Sequence, residues 1–175
     1  LVVASPQAIA DLVRQGRVAA DATLDMGRSG LALMGRKGAP RPPIGTVEAF
    51  KRVLLEAKVV AYSATGESGI GFLKVLDTLG IAAAMKPRIR AAANMAAMVE
   101  SGEAEIGITG IGAGLTYTQL DYIGPLPAAV QEYVYVGAGV SVDAQAAARA
   151  LLKYLGEPAV VKAMGEKGLE AVAAK

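Results

Sequence analysis

Apolar positions along the chain follow two alternating rhythms. Short runs at 2–4, 31–34, 59–62 and 106–109 are apolar, mostly β-branched or small, and read as strands. Between them the spacing becomes helical. Ala8, Ile9, Leu12 and Val13 follow Ser5-Pro6, a cap and a first-turn proline, until Gly16. Val47, Phe50, Val53 and Leu54 follow a capping Thr46, and Met95, Met98 and Val99 lie between a capping Asn94 and Gly102. Ile70, Leu73, Leu76 and Leu79 form a further stripe closed by Gly80. Residues 86–90 read as a weaker strand, 122–124 as a short one and 131–140 as a longer one, with Tyr133 and Tyr135 on one face. Asp143 is expected to cap a helix carrying Ala147, Leu151, Leu152 and Leu155. Gly156-Glu157-Pro158 then breaks it before a last helix through Val160, Val161 and Met164. The proline-rich stretch 38–43 reads as a surface loop. Strands alternating with helices predict an α/β fold with largely parallel sheets.

Composition narrows the chemistry more than the fold. The chain has 175 residues, 53% hydrophobic and only 5% aromatic, so its core is built from Ala, Val, Leu, Ile and Met. It has no His and no Cys. That removes imidazole bases, thiolate nucleophiles, a Ser-His-Asp triad and zinc-thiolate sites, while carboxylate and lysine chemistry stay available. A net charge of +2, with Arg36, Lys37, Arg41 and Lys86, Arg88, Arg90 not interleaved with aromatics, argues against nucleic acid and reads as solvated surface. No run of 18 apolar residues occurs. The chain opens inside an apparent strand, without Met or a signal-peptide pattern, so a processed or truncated chain is expected.

In parallel α/β sheets ligands bind beyond the carboxyl ends of strands, where helix N-termini point. Three turns of small or hydroxylated residues occupy such places: 63–69, 91–94 and 109–114. Gly66-Glu67-Ser68-Gly69 lacks the Gly-Lys-Ser/Thr ending of a P-loop, and Gly110-Ile111-Gly112-Ala113-Gly114 is not GxGxxG, so a nucleotide is not expected. Arg28 can clamp a carboxylate or simply pair with a neighbouring acid such as Asp25. Glu67 is either an acid–base group or a first-turn carboxylate complementing the helix dipole. Glu100, Glu103 and Glu105 read as surface rather than a metal site, and no cofactor is implied.

The order of several segments resembles the molybdate-binding periplasmic protein family of ABC transporters. They are Val2-Val3-Ala4-Ser5-Pro6, Arg28-Ser29-Gly30-Leu31-Ala32, Thr46 through Lys51, Ala61-Tyr62-Ser63 through Ser68-Gly69, Gly102 through Ile108, and Gly124-Pro125-Leu126-Pro127. The resemblance implies the type 2 periplasmic binding fold: two α/β lobes joined by crossover strands and closing around an anion. One lobe would take 1–35 plus 119–175 and the other 36–118, with crossovers near 28–36 and 119–135. It implies that a leading segment with two serine turns is missing, leaving the first lobe incomplete and prone to self-association. Ser68 and Gly69 fall on the family's Ser-Gly turn and Ala92 near the residue opening the next helix. Gly110 falls where the family has a tyrosine, which would open the site to organic carboxylates.

Together with Ser63 and Arg28 these residues form the expected ligand site. The resulting expectation is a periplasmic receptor that captures a small anion without catalysis and hands it to a membrane permease. Two alternatives remain. One is a carboxylate isomerase or lyase using Glu67 and Arg28, and the other is the sensory effector domain of a regulator.

Overall fold

Ser5 starts the first helix as its position predicts. In the computed structural model, which describes residues 1–64 and 66–172, strand β1 (Val2–Ala4) leads to Ser5. Its hydroxyl accepts the Ala8 N–H at 3.4 Å at the head of α1 (Pro6–Arg14). β2 (Val18–Arg36) follows, then α2 (Val47–Glu56), capped by the Thr46 hydroxyl accepting from Ala49 N–H at 3.1 Å. β3 (Val60–Ser63), α3 (Glu67–Thr78), α4 (Ala82–Met85) and β4 (Ile89–Ala92) come next. Asn94 caps α5 (Met95–Ser101) through Ala97 N–H at 3.1 Å, and Gly102 ends it in the left-handed region at φ +83°. β5 (Ile106–Gly110), α6 (Ile111–Gly114), β6 (Leu120–Pro125), a 3-10 turn, β7 (Tyr133–Ser141), α7 (Ala146–Leu155) and α8 (Pro158–Glu166) complete the order.

The chain divides into two compact units. Unit 1 combines Leu1–Ser29 with the stretch from Tyr135 onward, and unit 2 is Gly30–Val134. β2 and β7 are the crossover strands, each running from one unit into the other. In unit 1, β1 pairs antiparallel with β7, and Ala22, Ala138, Val140 and Leu152 are buried together. In unit 2, β4, β3 and β5 are parallel neighbours, while β5 and β6 each run antiparallel to β2. Strand alternation sends Val60, Ile106 and Ile108 to a core with Phe50, Leu54, Phe72 and Leu76 from α2 and α3. Ala61 and Met34 face the opposite cluster with Met95, Ala96 and Val99 of α5. No helix among the described residues is long and apolar enough to cross a membrane.

Several expectations need correction. The sheet is mixed: β4, β3 and β5 are parallel neighbours, whereas the pairings β1–β7, β2–β5 and β2–β6 are antiparallel, because the long crossover strands return against these neighbours. The run 31–34 is the buried end of the 19-residue β2, whose first half alternates Ala20, Ala22, Leu24 and Met26 with Asp21, Thr23 and Asp25 and belongs to the same strand. The strand expected at 86–90 lies at Ile89–Ala92, because Ala82–Met85 forms a helical turn that ends at Lys86. On α3 the buried face is Phe72, Val75 and Leu76, whereas Ile70 and Leu73 are 60% and 39% exposed. Asp143 does not cap α7; Gln145 holds that position. The two basic groups are not simply solvated. Arg88 donates to the carbonyls of Leu55 (2.7 Å) and Ala57 (3.0 Å), and Arg41 to that of Tyr122 (2.6 Å).

Candidate functional site

The carboxyl end of β3 brings three of the expected residues together. Ser63 ends the strand, and its hydroxyl oxygen accepts the Gly66 N–H at 3.1 Å. Gly66 is the N-cap of α3 and supplies no side-chain cap. The Gly69 N–H donates to the Gly66 carbonyl at 2.9 Å, which leaves the N–H groups of Glu67 and Ser68 as the first-turn donors outside the helix ladder. A methyl group on Gly66 would lie 2.9 Å from Ser63 Oγ and 3.4 Å from Ser68 Oγ, so both hydroxyls converge on the space above it. A side chain on Gly69 would collide with the Ser63 carbonyl oxygen. The start of α3 sits directly on the strand end because residue 69 has no Cβ. Thr65, inside the turn expected over 63–69, lies outside the described residues.

The neighbouring strands contribute less uniformly. Ser63 is in register with Ala92 on β4, whose carbonyl accepts the Ala64 N–H at 3.0 Å. The Ala92 methyl is buried among Met95 and Ala96, so what it offers the strand end is backbone. Gly110 ends β5 and is the N-cap of α6, again with no side-chain cap. The dipole argument applies unevenly to these turns. α3 has 12 residues, while α5 has 7 and α6 has 4, too few aligned peptides to sum to much of a macrodipole. Among the three turns, only the one at α3 combines a full helix with hydroxyl side chains. Glu67 lies exposed in its first turn.

Arg28 belongs to unit 1. There its Nε lies 3.3 Å from Glu170 Oε2, and the two residues also exchange backbone hydrogen bonds at 2.8 Å. Its acidic neighbour is Glu170, not Asp25. Glu105 accepts the Lys58 N–H at 2.7 Å and Glu103 lies beside the Ser101 hydroxyl, so these acids serve local turns.

A cavity of about 330 Å³ in unit 2, lined by Arg36, Pro40, Glu56 and Glu105, opens beside Ile106 at the start of β5. It lies at the opposite end of that strand from Gly110, where the topology of parallel sheets does not place ligands. Thr109, the first residue of the turn expected over 109–114, is 5% exposed, and Gln131 carries no expectation of a site role from the sequence. The Gln131 carboxamide accepts from Leu31 N–H (2.8 Å) and donates to Leu31 C=O (3.0 Å), like an added strand residue.

A family model described as bacterial extracellular solute-binding protein matches residues 1–170. An aconitate isomerase from Pseudomonas sp. is 36% identical over 173 residues, covering 96% of this chain and 66% of that enzyme. The chain thus spans just under two thirds of the length of that relative. Among solved structures, a substrate-binding domain assigned to a molybdenum ABC transporter of Clostridium difficile superposes with a TM-score of 0.77 at 16% identity, over 97% of this chain and 76% of that one. The periplasmic molybdate-binding protein of Azotobacter vinelandii gives 0.73 at 18%, over 99% and 78%. These likenesses establish the type 2 periplasmic binding fold. The isomerase overturns the expectation of capture without catalysis. The absence of His and Cys had removed two kinds of catalyst but left carboxylate acid–base chemistry intact.

Proposed function

Because the chain belongs to the bacterial extracellular solute-binding protein family, we propose that it uses this fold to hold an unsaturated tricarboxylate of the aconitate type and to isomerise it. The observation that carries this reading is the 36% identity with an aconitate isomerase across 96% of the chain. The turn at the head of α3 supports it. First-turn N–H groups and the hydroxyls of Ser63 and Ser68 offer donors to carboxylate oxygens, and Glu67 stands among them as an acid–base group.

Isomerisation requires only a proton shift. Glu67 removes a proton from the methylene beside the double bond, and the electron pair moves across the allylic system onto a carboxylate. The same proton, returned to the former vinylic carbon, moves the double bond and allows either geometry. The site donors stabilise the charge of the intermediate, and the balance needs no redox cofactor. A positioned acid–base group contributes roughly 10²–10⁴-fold. In full-length protein followed by proton NMR with trans-aconitate, Glu67→Gln should lower kcat by about a hundredfold or more while binding persists. Wild-type protein that leaves trans-aconitate unchanged would refute the isomerase reading.

The family match favours a second role for the same binding lobe: a periplasmic receptor passing an anion to the permease of an ABC transporter. Calorimetry with molybdate, sulfate and tricarboxylates addresses it, and preference for an inorganic oxyanion would favour transport of that ion.

A further inference from the structure

We infer that Thr109 is a second hydroxyl contact for a ligand carboxylate, beside Ser63, and a determinant of carboxylate binding; the inference rests on the tricarboxylate reading above. Thr109 is the one buried polar or charged side chain among the described residues, at 5% exposure. Its hydroxyl has no hydrogen-bond partner among them, yet no fully buried side-chain oxygen or nitrogen lacks one. Both hold only if the hydroxyl oxygen reaches the surface while the rest of the residue is covered.

Its position says where it emerges. β3 and β5 are parallel, with Val60, Ala61 and Tyr62 in register with Ile106, Gly107 and Ile108. One step further along each strand stand Ser63 and Thr109. Alternation puts both on the face of Ala61 and Gly107, which is the α5 side, where a Cβ on Gly107 would meet Met95 and Val99. The Thr109 methyl turns toward α6, 3.4 Å from where a Gly114 side chain would begin. The methyl is thus packed and the hydroxyl is left facing the strand end. Adjacent strands lie about 4.8 Å apart, so two such hydroxyls can each donate to one oxygen of a shared carboxylate. For packing alone a valine would fill this volume without burying part of a hydroxyl.

The test uses the full-length protein and trans-aconitate as the calorimetric probe, with wild type, Thr109→Val and Thr109→Ser. Losing a hydrogen bond to a charged ligand should raise Kd roughly ten- to a hundredfold in Thr109→Val. Thr109→Ser should bind within about twofold of wild type, and the melting temperature of Thr109→Val should equal or exceed wild type. If wild type binds and Thr109→Val binds equally well, the assignment of Thr109 is wrong and the tricarboxylate reading survives. Weaker binding accompanied by a lower melting temperature in Thr109→Val would mean a structural role and also overturn it. Wild type that binds no tricarboxylate overturns both.

Discussion

The two units use their charged side chains in opposite ways. In unit 1 charges pair with charges at the surface: Arg14 with Asp11, Arg28 with Glu170, and Arg149 with Asp21. In unit 2 basic side chains reach backbone carbonyls instead. Lys51 donates to Leu79, Arg88 to Leu55 and Ala57, Arg41 to Tyr122 and Lys37 to Thr118. The cores differ in parallel. Unit 2 encloses Phe50, Phe72 and a large aliphatic set between α2, α3 and its sheet, while the cluster of unit 1 is Ala22, Ala138, Val140 and Leu152. Exposed ion pairs contribute little and are screened by salt, whereas a buried aromatic contributes roughly 1.5–3 kcal/mol. Unit 2, which carries the turn at the head of α3, is the better supported of the two.

Core truncation is the strongest way to break this comparison. Phe72→Ala removes a fully buried ring from α3 and should cost about 3–5 kcal/mol in urea melts. It should also abolish ligand binding, because Glu67 and Ser68 ride on the same helix. Leu152→Ala, at a site already 9% exposed, should cost about 2 kcal/mol and leave binding close to wild type. Equal losses from the two substitutions would mean that the large core is not what holds unit 2.

A glycine pair sharpens the same contrast at smaller magnitude. Gly69→Ala drives a methyl into the Ser63 carbonyl, so α3 must shift off the strand end. That should cost about 1–3 kcal/mol and most of the affinity for ligand. Gly16→Ala in unit 1 meets no atom within 4 Å and suffers only from its φ of +69°. It should cost about 1–2 kcal/mol with affinity unchanged. Thermal melts paired with calorimetry separate the two, and unimpaired binding by Gly69→Ala would remove the turn at α3 from the site.

Features encoded within a few residues were legible in the chain. The caps at Ser5, Thr46 and Asn94 each depend on one side chain and an amide three positions on. Features decided by distant partners were not. On α3 both Ile70–Leu73–Leu76 and Phe72–Val75–Leu76–Leu79 are sound helical stripes. In the fold the second one is buried, and Gly69 on the same helix sits where a Cβ would meet the Ser63 carbonyl. The first half of β2, by contrast, carries its own strand signal, Ala22, Leu24 and Met26 alternating with Asp21, Thr23 and Asp25, but with alanine in place of bulky β-branched residues the signal is faint. The grouping of Ser63, Ser68 and Gly69 was visible as a small polar turn after a strand. Thr109 was visible as the opening residue of the turn 109–114, but its burial depends on Gly114 and α6 packing against its methyl, which the sequence does not show. The proposed catalytic role of Glu67 was hard to read for a chemical reason: a single glutamate after a glycine reads equally well as a helix-dipole partner.

The smallest effect belongs to the surface of unit 1. Arg149 holds Asp21 with two contacts, at 3.1 and 3.2 Å, and both side chains are largely exposed. Hydrogen bonding and the charge of the guanidinium lower the Asp21 carboxyl below its ordinary pKa of 3.8. A lowered folded-state pKa contributes stability that is fully present above the ordinary carboxylate range and is lost as pH falls through the lowered value. At neutral pH and low salt, Arg149→Gln should therefore melt slightly below wild type. The difference should shrink as salt is raised and vanish once the pH is well below 3.8. Ligand affinity, which the proposed site assigns to the turn at the head of α3, should not change at any of these conditions. A melting difference that persists in strong acid or high salt would show that Arg149 supports unit 1 through its alkyl stem packing rather than its charge, and unit 1 would then resemble unit 2 more than its ion pairs suggest.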